Sequence, residues 1–307
     1  MIKRKISIKE QVEYMANKGI KYNLVSKGDA ENYLKTSSYF FRLKAYCKNY
    51  SKDENGKYKD LEFAYLKELF EIDRELRRLV LNMTIQIEHA LKVRLQEKLC
   101  ENELEDGFNI INVFEEYNRE NNINFAPKKN PYNKDLIEKL SDEQYALWNI
   151  LEVISFGESN ILLECYMNLY GSIIDSMDSD KLKSLLFCIK KLRNACAHNN
   201  CLIHNFNTEV NTNKSVRTYV TRNIENVSPA TVTTQMKKLI VNDFAVLLYS
   251  FSVIIEDENV KRGIEKELIS FKERMKQNEA FFNSNITISS TFAFLDKLID
   301  IFCGQLV

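Results

Sequence analysis

Glycine and proline are scarce in this chain, with 8 and 3 in 307 residues. Strands joined by tight turns use more of both, so the shortage argues against a sheet-rich fold and for long helices. No apolar run approaches the roughly 18 residues of a membrane span. The basic opening Met1-Ile-Lys-Arg-Lys-Ile-Ser-Ile8 has no long apolar stretch behind it to make a secretory signal. A cytoplasmic protein without membrane attachment is therefore expected. Lys and Arg total 43, as do Asp and Glu. With no net charge there is no global field to attract nucleic acid, so RNA binding would rest on local patches. The seven cysteines (Cys47, Cys100, Cys165, Cys188, Cys196, Cys201, Cys303) are scattered and odd in number. That fits reduced thiols better than a disulfide framework. A phosphate-binding glycine loop, a dinucleotide fingerprint and a Gly-x-Ser-x-Gly elbow are all missing. No metal or other cofactor is expected.

What remains reads as helix. Hydrophobic residues make up 45% of the chain and charged residues 28%, enough for a sizeable core under a charged surface. Residues 7–18 form a first helix, with Ser7 and Glu10 as a capping box and Gly19 as its stop. A second opens at Asp29 and leads into Ser37-Ser-Tyr-Phe-Phe-Arg-Leu-Lys-Ala-Tyr46, where Arg42 reads as one half of a structural pair. Asn55-Gly56 marks a turn. Between Lys57 and Asp106 there is neither Gly nor Pro, and a helical apolar stripe runs from Leu61 to Leu91. It predicts a helix of nearly forty residues, about 55–60 Å long, suited to a bundle spine or dimer seam. Along it, Arg74, Arg77 and Arg78 read either as solvated helix charges or as RNA contacts. Glu88 is expected to be partly buried and paired.

Asn-rich sequence with Pro127 and Pro131 predicts a loop over 107–133. A helix pair follows over 141–170, broken at Ser155-Phe-Gly157, with Trp148, Leu151, Ile154 and Phe156 in the core. Asp178-Ser-Asp180 starts the next helix. Residues 207–227, with Lys214, Arg217 and Arg222, predict an exposed polar loop able to touch phosphates, or a plain insertion. Ser228-Pro229 is a helix start. Further helices are expected over about 230–256, 259–280 and 289–303, ended by Gly304.

The helix after Asp178 carries the chemistry. Leu182, Leu185, Leu186, Ile189 and Leu192 recur at helical spacing, and then Arg193, Asn194 and His198 replace the apolar stripe, with Lys190 and Lys191 just upstream. Only three histidines occur in the chain, and one is here. RNA cleavage through its own 2′-hydroxyl needs a base, an acid and a cation for the phosphorane-like transition state. His198 can be base or acid because imidazole ordinarily titrates near neutrality. Arg193 can hold phosphate oxygens with two prongs and never loses its charge. Asn194, four residues before His198, shares its helix face and could fix the imidazole tautomer. Arg193 and His198, however, stand roughly 140° apart around a helix axis. They converge on one phosphate only if the helix loosens, or if the cleft is shared with a second subunit. Two-fold pairing would bring two such sets together and supply both acid and base, so a composite site across a homodimer is expected.

Two other chemistries use the same stretch. Cys196, His198, Cys201 and His204 could be zinc ligands, though four within nine residues is tighter than the usual two separated pairs. A Cys196/His198 dyad needs adjacent side chains, which diverge at this spacing on a helix.

Leu192-Arg-Asn-Ala-Cys-Ala-His198 resembles the Arg-x₄₋₆-His signature of HEPN ribonucleases. It is close to the Arg-Asn-x-Cys-Ala-His form of Abi-like (AbiD/AbiF-type) abortive-infection proteins. Three further segments are similar to that family in the same order. They are Tyr39-Phe-Phe-Arg-Leu-Lys-Ala-Tyr46, the long helix with Ile72-Asp-Arg-Glu-Leu-Arg77 and Ile87-Glu-His-Ala-Leu-Lys92, and Trp148-Asn-Ile-Leu-Glu-Val-Ile-Ser-Phe-Gly157. Lys92 stands where an Arg is usual, and Asn199, Asn200 and Cys201 where the family often has x-Arg. The resemblance implies an all-α, HEPN-type helical bundle with a long central helix and extra N- and C-terminal helices. It implies metal-independent endoribonuclease activity in phage defence or growth arrest, held in check by an antitoxin RNA or protein. By residue, Arg193 and His198 inherit catalysis and Asn194 support. Lys190, Lys191, Arg74, Arg77, Arg78, Arg217 and Arg222 are the cations expected at RNA. The segments expected are 1–60 (N-terminal helices), 61–206 (HEPN-like core), 207–227 (polar loop) and 228–307 (C-terminal helices), together one compact unit. The alternative from another class is a non-catalytic module that holds a cognate small RNA.

Overall fold

One helix of 39 residues, α4 (Phe63–Glu101), is the longest element. The absence of Gly and Pro lets it run unbroken, and its Leu66, Leu69, Ile72, Leu76, Leu79, Val80, Met83, Ile87 and Leu91 are buried. The computed structural model describes residues 5–123, 125, 130–140 and 145–303. Among these residues there are fourteen α-helices and no strand, only three isolated bridges, so the fold is all-α. Before α4 come α1 (Ile8–Asn17), α2 (Lys27–Thr36) and α3 (Phe40–Tyr46). After it come α5 (Asn109–Glu120), α6 (Lys134–Leu140), α7 (Leu147–Ile150), α8 (Phe156–Tyr170) and α9 (Ser179–Ala197). The chain continues through α10 (Lys214–Asn223), α11 (Pro229–Met236), α12 (Leu239–Ile254), α13 (Glu258–Lys276) and α14 (Ile286–Cys303).

Contacts divide the chain into two units. The first holds residues up to Asn82, Leu192–Ser252 and those from Asp257 onward; the second holds Met83–Lys191 and Val253–Glu256. In the first unit, α12 is buried on nearly every side, with Phe244, Ala245, Val246, Leu247, Leu248 and Phe251 almost fully covered. The Glu68 carboxylate pairs with Arg274, and Asn82 donates to Glu267 at 2.6 Å, tying the first half of α4 to α13. Phe292 meets Phe206 and Phe282 edge-on, with centroids 5.8 and 5.6 Å apart. In the second unit α5 packs on α8. The buried Glu105 carboxylate accepts from the Gly107 and Ile110 amides and from the Tyr170 hydroxyl.

Several boundaries differ from those read off the sequence. The Ser7/Glu10 capping box and the stop at Gly19 (φ +91°) are present. The second helix, however, starts at Lys27, because Ser26 rather than Asp29 caps it: the Ser26 hydroxyl accepts the Asp29 amide. It ends at Thr36, and α3 is separate. Within 107–133, expected as a loop, lies α5, whose Ile110, Ile111 and Phe114 are buried. Asn-rich flanks hid that short stripe. Pro127, Lys128 and Lys129 lie outside the described residues, as does Gly304. Residues 141–144 of the expected helix pair over 141–170 lie outside the described residues; the described part before the break holds the single turn α7, while Ser155 caps α8 with Glu158. Leu151, Ile154 and Phe156 are buried, but Trp148 is 49% exposed. Its ring lies over Gly107, where an added Cβ would collide with Trp148 Cζ3. Residues 207–227, expected as a polar loop, carry α10, anchored by buried Val216 and Val220 among its polar residues. The helix expected over 230–256 breaks between α11 and α12.

Candidate functional site

Asp178 opens α9 by accepting the Lys181 amide at 2.8 Å. Its apolar stripe, Leu182, Leu185, Leu186, Ile189, Leu192 and Cys196, is buried throughout. Arg193 and Asn194 are half-buried beside that stripe, and the guanidinium donates to Asn194 Oδ1 at 3.3 Å. His198 is exposed at the helix end. Among the described residues no side chain bonds its imidazole.

The helix stays regular up to this point, since the His198 amide still donates to Asn194 O at 2.9 Å. It then stops in one step. Asn199 adopts φ +57°, its amide turns back to Cys196 O, and the Asn200 amide turns back to Ala195 O, both at 2.8 Å. This paired reversal is the left-handed stop that Asn tolerates. Because α9 does not loosen, Arg193 and His198 keep their separation of roughly 140° around the axis.

A buried polar network fixes the chain that follows. Arg42, 5% exposed, donates to both Asn199 O (2.5 Å) and Asn199 Oδ1 (3.2 Å). Asp73 is fully buried and accepts from the Leu202 and Ile203 amides at 2.9 and 3.1 Å. Its other oxygen takes the Tyr46 hydroxyl at 2.6 Å and the Arg77 guanidinium. Arg77 also reaches Asn200 O at 3.4 Å. Asn49 donates to Ile203 O and accepts from the Phe206 amide, at 2.9 and 2.8 Å. Burial, then the Asp73 charge, pushes the Tyr46 phenol far above its ordinary value, so it remains a donor. None of Asp73, Tyr46 and Asn49 was anticipated from sequence. The available signal was an acid at a core position of the α4 stripe, one residue after Ile72, with an arginine four residues on.

The remaining candidates are dispersed. Arg77, expected among the RNA contacts, is 5% exposed and committed to Asp73. Arg74 pairs with Glu71 at 2.7 Å, and Arg78 with Glu75 at 2.8 Å at the surface. Lys191 sits over the exposed Phe187 ring, 4.0 Å from its centroid. Lys190 lies beside Gly157, where an added Cβ would meet its Cε at 3.2 Å. Arg217 donates to Thr212 Oγ1 from α10, and Arg222 is exposed on the same helix. Glu88 is half-buried and paired with Lys92 at 3.3 Å.

Burial pushes the Cys196 thiol up to about 12, so it stays protonated at neutral pH and is no nucleophile for a dyad. The His204 Nδ1 is engaged with Cys201 O at 2.7 Å. Among the described residues no three His, Cys, Asp or Glu side chains converge as metal ligands. No described helix is long and apolar enough to cross a membrane.

A family model described as Abi-like protein matches residues 32–204, more than half of the chain, from within α2 to the residues held by Asp73. No curated protein and no solved structure matches.

Proposed function

The chain belongs to the Abi-like protein family, and from that membership, which points to abortive-infection defence against phage, we propose that it is a metal-independent endoribonuclease of the HEPN type. The observation that carries this reading is the exposed His198 imidazole at the regular end of a helix that also holds Arg193. One histidine takes the proton of the RNA 2′-hydroxyl, whose oxygen attacks the adjacent phosphorus. A second protonates the departing 5′-oxygen, leaving a 2′,3′-cyclic phosphate. Arg193 neutralises the charge that builds on the phosphorane oxygens, and Lys190 and Lys191 raise the local potential. Because one regular α9 holds Arg193 and His198 far apart around its axis, the cleft is completed by the same helix of a second subunit. An antitoxin, RNA or protein, would hold it in check.

The test is cleavage by purified protein in the presence of EDTA, with product ends identified. His198→Ala and Arg193→Ala should each abolish cleavage while keeping the wild-type melting curve. Retained cleavage by both variants refutes the mechanism. Tight RNA retention by a wild type that never cleaves would favour the small-RNA binding module instead.

A further inference from the structure

Arg42 is far from Arg193 and His198 in sequence, yet its guanidinium ends on the residue that follows His198. Two donors engage both oxygens of Asn199, the backbone carbonyl and the side-chain amide oxygen. The same guanidinium lies over the Phe70 ring, 5.5 Å from its centroid, in an almost dry setting. Its Nε is buried without a partner. A buried cation with an unsatisfied donor is a poor way to gain stability, and an apolar side chain of similar size would commonly do as well. What it supplies is geometry. Helix ends fray, and an exposed side chain at the last turn samples many positions. Here the residue after it is held in the left-handed conformation by two charge-assisted bonds from one guanidinium. Arg77 approaches the next carbonyl, that of Asn200, so two buried cations gather at the carbonyl end of α9, where partial negative charge accumulates.

We propose that Arg42 is a positioning residue for His198, acting through Asn199. It holds the left-handed stop in one geometry and so fixes the direction in which the imidazole leaves the helix. The inference rests on the ribonuclease reading above, because only there does the direction of the imidazole set a rate. Misplacing a catalytic group by about 1 Å can cost on the order of a hundredfold in rate.

The experiment uses the full chain and a mixed-sequence RNA oligonucleotide with a fluorophore and a quencher. Two variants cut the clamp from opposite ends. Arg42→Lys keeps the charge and loses the two-pronged grip. Asn199→Gly keeps a residue at ease at positive φ and loses only the Oδ1 contact. Each should lower kcat by about tenfold or more with KM within about twofold, since the loss lies in chemistry rather than RNA grip. The double variant should be no worse than the poorer single, because both remove one interaction. Wild-type kcat in Asn199→Gly, or losses that multiply in the double variant, overturns the proposal. A second readout does not depend on activity. With only three histidines, the His198 ring signal can be followed by NMR beside that of His89. Both variants should move or broaden the His198 signal and leave His89 unchanged. If the wild type cleaves no RNA, the ribonuclease reading falls. The NMR result then decides the clamp alone, and an unmoved His198 signal overturns it.

Discussion

Replacing Asp73 with asparagine would remove a single charge from the most heavily used side chain of the network. In the native protein its two oxygens accept from the Leu202 and Ile203 amides, the Tyr46 hydroxyl and the Arg77 guanidinium, with no exposure to water. The asparagine oxygen can still serve the two amides. Its NH₂ group must then face the guanidinium, a donor against a donor, and the Arg77 cation is left buried beside a neutral partner. Breaking a buried pair from one side costs about 3–5 kcal/mol, against a typical total stability of about 5–15 kcal/mol. Arg77→Met should cost less, about 1.5–3 kcal/mol, because Asp73 keeps three of its four donors. Arg78→Ala, which removes an exposed pair with Glu75, should cost under about 1 kcal/mol. Urea unfolding followed by circular dichroism gives all three values. A cost for Asp73→Asn within about 1 kcal/mol of wild type, or an order in which Arg77→Met is the worse, refutes this account of how the segment after His198 is held.

Two more expectations concern the rest of the molecule. In the intact protein at pH 8, the exposed Cys100 should react with iodoacetamide first. Burial raises Cys47 and Cys196 to about 12, and Cys165 and Cys303 to about 11, so these four should stay unlabelled; prompt labelling of Cys196 on peptide mass spectrometry contradicts this. Gly107→Ala must place a Cβ against the Trp148 ring at φ +85°, destabilising the second unit by about 1–3 kcal/mol. As Trp148 is the sole tryptophan, its emission during urea unfolding reports the shift directly, and an unchanged midpoint defeats the argument.

The parts of the fold legible in sequence were those governed by local rules. The uninterrupted stripe from Leu61 to Leu91 specified α4 because nothing along it could break a helix. Ser7 and Ser228 marked helix starts because a hydroxyl satisfies an orphan amide within three residues. Asn199 ends α9 by a rule just as local, since Asn tolerates positive φ. What stayed hidden depends on partners distant in the chain. α10 has only Val216 and Val220 as buried residues, so its own composition reads as loop. Trp148 looked like core by its residue type, yet Gly107 lets one ring face lie on backbone while the other stays in water. Arg77 and Arg78 are neighbours of one type, and the helical register of α4 sets the first beside buried Asp73 and the second in solvent. For the candidate site the situation is similar. Arg193, Asn194 and His198 were visible as a motif, while the clamp from Arg42, Tyr46, Asn49 and Asp73 spans well over a hundred residues of sequence separation.

The regularity of α9 has a consequence that can be counted in subunits. The His198 amide still bonds Asn194 O, so the helix offers no local loosening to swing Arg193 and His198 together. In the ribonuclease reading proposed above, a cleft built from both draws on two chains, with the two copies of His198 as its acid and its base. Co-expressing wild type and His198→Ala at equal levels gives about one quarter wild-type dimers by random pairing. If a cleft needs both histidines, activity per total chain drops to about one quarter of wild type. If each chain carries a complete site, activity drops only to about one half, in simple proportion to the wild-type fraction. The same distinction sets the shape of a titration, since activity follows the square of the wild-type fraction in the shared case and the fraction itself in the other. A linear titration, with mixed dimers verified by two affinity tags, would mean that each cleft uses a single His198, and the two-histidine cleft would have to be abandoned even if His198 proved essential.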